Sequence, residues 1–231
     1  VASKEVSIVQ GVKTLLLSLY AGTDKGEVSD FLGMALHRDQ DRRLIYIDQS
    51  GYATRLVSKA SLDEVKPKRL PMQPNPHKTP TGTELSGKDV TDYRHHVAEL
   101  LWLANMTRPD LAYSAGFLAR PLQVPTSTHQ DQLEHTLAYL SGTKGYVLTL
   151  GRQTDDPLLA YLDSDWATEA DAKYKSVGGC IFQMYGSTIS WKSKRQQTVA
   201  RSSKEAEMMA AGEAVREAIW LSCRGVALRF A

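Results

Sequence analysis

Two carboxylates stand where acids are costly. Asp163 closes the apolar run Leu158-Leu159-Ala160-Tyr161-Leu162, and Glu207 sits inside the run Ser202-Ser203-Lys204-Glu205-Ala206-Glu207-Met208-Met209-Ala210-Ala211. An acid among apolar neighbours loses hydration, and a divalent cation is the usual group that offsets the loss. Mg²⁺ takes one or two carboxylates together with water and phosphate oxygens. Two such ions about 3.5–4 Å apart activate a water and stabilise a leaving oxygen. The chemistry this pattern points to is phosphodiester cleavage. The spacing equally suits a plain reading, with Asp163 as a strand-ending turn residue and Glu207 on an exposed helix shoulder. Asp165 and Asp171 read as turn residues.

The elements that must position the pair follow from periodicity. Asp163 ends a strand. Val177–Met184 and Thr188–Trp191 flank Gly186-Ser187, a type II′ hairpin signal. Ser202 with Glu205 three residues on forms a capping box for the last helix. Glu207, Ala210, Ala211, Ala214 and Ala218 then share one stripe, small enough to pack closely on a sheet. This order predicts that the two acids meet at the sheet's rim. Lys192, Lys194, Arg195, Arg201 and Lys204 flank the region as either a solvated loop or a phosphate-contacting surface. Trp166, Trp191 and Trp220 read as core residues. The histidines, His37, His77, His95, His96, His129 and His135, show no ligand spacing.

Upstream, the apolar spacing of Val9, Val12, Leu16 and Leu19 predicts a helix over 6–20. Asp24-Lys25-Gly26-Glu27 reads as a turn. Phe31–Leu36 and Leu44–Ile47 read as strands joined by the polar stretch 37–43, and Ser50 as the cap of a short helix. Pro67, Pro71, Pro74, Pro76 and Pro80 mark an extended linker. Residues 92–119 read as helix interrupted near Arg108-Pro109-Asp110, and a further helix runs from Ser127 to Gly142.

Composition narrows the class. The chain has 231 residues, 42% hydrophobic and 23% charged, which is globular, and a net charge of +2 gives no bulk attraction to nucleic acid. Cys180 and Cys223 lack metal spacing and read as reduced and buried, as in an intracellular protein. No apolar run approaches the roughly 18 residues of a membrane span. A start at Val1, with neither Met nor a signal pattern, leads to the expectation of a processed product or a fragment.

Several ordered strings together resemble the Pol polyprotein of copia-type LTR retrotransposons. Leu162-Asp163-Ser164-Asp165-Trp166-Ala167, Ile189–Gln196, Ser202–Glu207 and Ala218-Ile219-Trp220-Leu221 are similar to its ribonuclease H region. Tyr93-Arg94, Thr107–Tyr113 and Tyr139–Thr143 are similar to its connection. Phe31-Leu32-Gly33-Met34 and Pro71-Met72 resemble the end of its reverse transcriptase. The resemblance implies an α+β, mixed α/β chain with a truncated RNase H-like fold, a mixed sheet with a packed helix. Ahead of it would lie a helical connection and a reverse transcriptase remnant containing a β-hairpin. The expected segments are 1–65 (reverse transcriptase end), 66–91 (Pro-rich linker), 92–150 (connection) and 157–231 (first half of RNase H).

The implied activity is hydrolysis of RNA in RNA–DNA hybrids, with Asp163 and Glu207 as the first and second catalytic acids holding Mg²⁺ or Mn²⁺. The implied partners are the hybrid and the remainder of Pol, and the implied setting is a cytoplasmic particle or the nucleus. Residues 1–30 hold no Asp-Asp polymerase motif, and 221–231 hold no Asp or Glu, so the later acids of the family's site would lie outside this sequence. The expectation is a chain with little nuclease activity alone. The alternative is a non-enzymatic module that binds nucleic acid or protein.

Overall fold

The computed structural model describes residues 5–62, 64–74, 76, 82–151, 154–169 and 174–229, with backbone alone for 167–169 and 224–229. The readings made for Val1, His77, Pro80 and Asp171 lie outside the described residues.

The predicted first helix forms as α1 (Val6–Leu19), but no residue on it is buried. The strand expected over Phe31–Leu36 is instead a tight hairpin. Leu32 and Gly33 both take positive φ, 53° and 75°, and β1 (Asp30–Phe31) folds back on β2 (Met34–Asp39) through the pair Phe31↔Met34. Positive φ at both central residues is the type I′ geometry that fits strand twist. The hairpin expected next is present, with β2 paired antiparallel to β3 (Leu44–Asp48). Helix α2 (Ser50–Lys59) starts one residue earlier than expected: Gln49 is its cap, and the Asp48 carboxylate accepts the Ser50 amide at 2.6 Å.

Three helices carry the main core: α3 (Gly87–Met106), α4 (Ala112–Leu118), entered through a 3₁₀ turn at Pro109–Leu111, and α5 (Ser127–Gly142). Tyr93, Val97, Leu100 and Leu103 of α3 meet Leu118, Leu133, Leu137 and Leu140, with Leu56 and Val57 of α2 in the same cluster. Strand β4 (Leu148–Leu150) then pairs with β3, giving a sheet of order β1-β2-β3-β4. The 1–65 and 92–150 segments therefore share one sheet and one core.

The Pro-rich stretch lies on this core. A strap without internal hydrogen bonds needs outside partners, and α5 supplies them. Lys68 donates its amide to the Ala138 carbonyl at 3.2 Å, the Thr136 hydroxyl donates to the Pro71 carbonyl at 2.8 Å, and Met72 is buried. A Cβ on Gly142 would come within 2.7 Å of the Pro67 side chain, so this glycine permits the strap's close approach.

A buried guanidinium joins the helices. Arg108 is 2% exposed. Its Nε and Nη2 donate to the Asp110 carboxylate, Nη1 donates to the Thr143 carbonyl at 2.9 Å, and Nη2 also reaches Thr143 Oγ1 at 2.7 Å. The Tyr139 hydroxyl donates to Asp110, and the Tyr146 ring lies 5.2 Å from the cation. Burial pushes the Asp110 carboxyl up, but the Arg108 hydrogen bonds and charge outweigh it and hold the acid below the ordinary range. Tyr139 is pushed up to about 12 by burial and by Asp110.

The second sheet is β5 (Leu159–Glu169), β6 (Lys175–Met184) and β7 (Ser187–Arg195), antiparallel throughout. The sheet implied by the resemblance is mixed, and no parallel strand pairs with these three among the described residues. The β6–β7 turn is Tyr185-Gly186 with φ 50° and 83°, a type I′ turn rather than the II′ turn at Gly186-Ser187. Helix α6 (Ser203–Arg229) covers one face. Its packed row is Ala206, Ala210, Ala214 and Leu221, set against Phe182 and Gly178. Ser202 Oγ accepts the Glu205 amide, while the Glu205 carboxylate turns to the Arg201 amide, one residue before the position a closed capping box requires.

Replacing Arg108 with Met keeps the stem but strands Asp110. We expect a loss of about 3 kcal/mol in chemical denaturation, the low end for a broken buried pair because Asp110 stays partly solvated. An unchanged midpoint would remove the guanidinium from its structural role. A second expectation concerns pH. Burial holds His96 below its ordinary pKa against the opposing charge of Glu99, and burial does the same at His135 against its bond to Leu70. Depressed imidazoles protonate more readily in the unfolded chain, so stability falls as pH drops from about 6.5. The urea midpoint should be lower at about pH 5.5 than at about pH 7.5. The His96→Asn/His135→Asn double variant should shrink the difference, and a flat wild-type profile would contradict it.

Candidate functional site

The two sides of the β5–β7 sheet present different chemistry. Ser164 is buried beneath α6: Gln196 Nε2 donates to Ser164 Oγ at 3.2 Å and to the Ala206 carbonyl at 2.8 Å. Successive strand residues face opposite ways, so Asp163 emerges on the side turned from α6. There it lines a cleft. Tyr161, Ile181, Trp191 and Ser193 lie on the sheet side of that cleft, with Gly179, Cys180 and Lys192 shared with the far face, and Pro109, Asp110 and Tyr113 lie on the helical side.

Docking of the sheet onto the helical unit shapes this cleft. Trp191 Nε1 donates to the Ala104 carbonyl at 2.6 Å, near the end of α3. Gly116 of α4 lies beneath the Ser193 carbonyl, with 3.8 Å left for a Cβ. Asp163 itself is exposed, and its Oδ1 accepts the Ser164 amide at 2.9 Å. Asp110 is committed to Arg108 and Tyr139. Sequence reading missed Asp110 as a cleft residue; the signal for it was its place after Pro109, which turns the chain toward the sheet.

Glu207 is half-buried on α6, one position beyond the packed Ala206. The structure thus sets Asp163 on the sheet face away from α6 and Glu207 on the helix covering the other face. It does not bring them together. Among the described residues no group of three His, Cys, Asp or Glu side chains is placed to hold a metal ion. No chemical step through Mg²⁺ or Mn²⁺ is derived from these two acids.

Of the predicted basic contacts, Lys192, Lys194 and Arg195 come together in a second cleft between β6, β7 and α6. Its floor is Gly178, Gly179 and Cys180, and Met209, Ala210 and Glu213 form the helix wall. Arg201 and Lys204 are exposed around the start of α6, outside that lining. The tryptophans depart from the core reading. Trp166 is 45% and Trp220 53% exposed, although Trp166 Nε1 donates to the Ala200 carbonyl. Both cysteines are free, but Cys223 is exposed and Cys180 only half-buried, its thiol pushed up chiefly by burial. No described helix is long and apolar enough to cross a membrane.

The chain is similar to curated proteins along nearly its whole length. It is 32% identical over 227 residues to a retrovirus-related Pol polyprotein from transposon TNT 1-94 of Nicotiana tabacum, covering 96% of this chain and 17% of that protein. A putative transposon Ty5-1 protein of Saccharomyces cerevisiae is 30% identical over 219 residues, 94% of this chain and 70% of the relative. An uncharacterized mitochondrial protein of Arabidopsis thaliana is 30% identical over 208 residues, 90% of this chain and 84% of the relative. No family model and no solved structure matches.

The Trp191 contact is testable. Trp191→Phe keeps a ring and deletes the donor to Ala104, so a loss of about 1 kcal/mol is expected. Faster amide exchange in β7 but not in α5 would accompany it. Equal exchange in both elements would show that the sheet does not dock through this bond.

Proposed function

Because this chain belongs to the Pol polyprotein family of copia-type retrotransposons, we propose that it is the stretch of Pol joining the end of the reverse transcriptase to RNase H. On this reading Asp163 is the first acid of the hybrid-cleaving site, and the activity it serves is hydrolysis of RNA in RNA–DNA hybrids. The support is the run Leu162–Ala167, the antiparallel sheet with α6 packed on it, and an exposed Asp163 at a cleft. The chain spans 17% of the length of the tobacco polyprotein, so the remainder of Pol is its natural partner in this reading.

The reading of the chain alone rests on strand parity, which sends Asp163 to the face turned from α6, the helix that carries Glu207. Two acids so placed do not share an ion. Hybrid recognition through phosphates and 2′-hydroxyls does not require that they do. On this reading the chain by itself binds hybrid without cutting it. The second reading is a non-enzymatic module derived from Pol that binds nucleic acid or protein.

A hybrid-cleavage assay with Mg²⁺ distinguishes these outcomes. The expected result is binding with no turnover above background. Clear turnover, abolished by Asp163→Asn, would show that the two acids do come together in this chain.

A further inference from the structure

Gly179 is a glycine that neither the backbone nor the packing of this fold demands. It sits inside β6, paired with Asp163 on one side and with Ser193 on the other. Its φ lies outside the left-handed region, and a Cβ built on it meets only the Lys192 carbonyl oxygen, at 3.8 Å, an ordinary van der Waals contact. Gly178 differs: its Cβ would stand 3.4 Å from that of Ala210 on α6, so that glycine serves the helix–sheet contact. Successive strand residues alternate, so Gly179 turns the other way, to the face that carries Asp163. A glycine inside a strand forgoes side-chain packing and loses more chain entropy on folding than any other residue. Where such a cost meets no structural need, a glycine marks the close approach of something from outside.

We propose that Gly179 is a specificity-determining residue for the substrate at Asp163. It keeps clear the place where the sugar–phosphate backbone of the hybrid lies against the sheet. Directly opposed strand residues hold their Cβ atoms about 4.5–5.5 Å apart. A side chain as short as that of Asp163 stands barely above the sheet, so whatever touches its carboxylate lies over the neighbouring strand. A side chain at position 179 would occupy that place. The register makes Asp163, Gly179 and Ser193 a low row, beside the taller row of Tyr161, Ile181 and Trp191. Among the described residues β5 is an edge strand of this sheet, so Asp163 and the space over Gly179 are reached from an open edge. One Asp163 oxygen is taken by the Ser164 amide, and the other is an acceptor for a sugar hydroxyl. This inference deepens the hybrid-binding reading above and rests on it: recognition by shape, phosphates and 2′-hydroxyls brings a backbone to the protein.

The test measures stability and binding together, on the full chain, with a labelled RNA–DNA hybrid. Gly179→Ala adds one methyl group where the fold has room, so the urea midpoint should hold or rise. Hybrid affinity should nonetheless fall about tenfold, the cost of crowding a close contact expressed as affinity. Gly212→Ala, exposed on α6 where an added Cβ meets nothing, should leave affinity unchanged. A lowered midpoint in Gly179→Ala would show that the fold itself needs this glycine and would overturn the inference. An unchanged affinity, or an equal loss in Gly212→Ala, would overturn it as well. In each of these outcomes the wild type still binds, and the hybrid-binding reading stands. No hybrid binding by the wild type would overturn the inference and that reading together.

Discussion

A guanidinium removed from water constrains the rest of this chain. Arg108 sits between the end of α3 and the 3₁₀ turn at 2% exposure. A charge so placed persists only when fully hydrogen-bonded, and the partners come from two directions. Asp110 follows it around the turn, and Thr143 lies just past α5. Meeting these demands fixes the angle at which α4 leaves α3 and brings the end of α5 against the turn. Ala104, one turn of α3 before Arg108, then offers its carbonyl to Trp191. The second sheet is thereby tied to the same corner of the helical unit, and the Asp163 cleft is the space left between them.

The functional consequences follow from strand parity. A strand sends alternate side chains to opposite faces, so one buried residue sets the side of all the others. Ser164, pinned under α6 by Gln196, sends Asp163 to the helical unit. The pairs Cys180↔Lys192 and Gly178↔Lys194 send the two lysines to α6.

Much of this was legible in the residues. The helices α3 to α5 follow from apolar stripes, and the interruption at Arg108-Pro109 from proline's preference for a first turn. The turns were less legible. Leu32 and Tyr185 adopt positive φ, a conformation for which neither side chain carries a signal, so one turn was hidden and the other displaced by a residue. The Pro-rich stretch carries the composition of a linker, and its seat on α5 depends on Thr136, His135 and the glycine at 142, all far away in sequence. The motif runs single out Asp163 and Glu207 as candidates. Their separation depends on which face of β5 meets α6, a long-range contact through Gln196 and Ala206 that no local pattern encodes.

The central claim is that Asp163 and Glu207 stand on opposite sides of the sheet in this chain. Paramagnetic Mn²⁺ titrated into isotope-labelled protein tests it most directly, because the ion broadens the NMR signals of every residue near it. The account predicts weak broadening confined to residues around Asp163, with the amides flanking Glu207 unaffected at the same ion concentration. Broadening of both sets together, with one shared affinity, would place the two carboxylates on a single ion and contradict it.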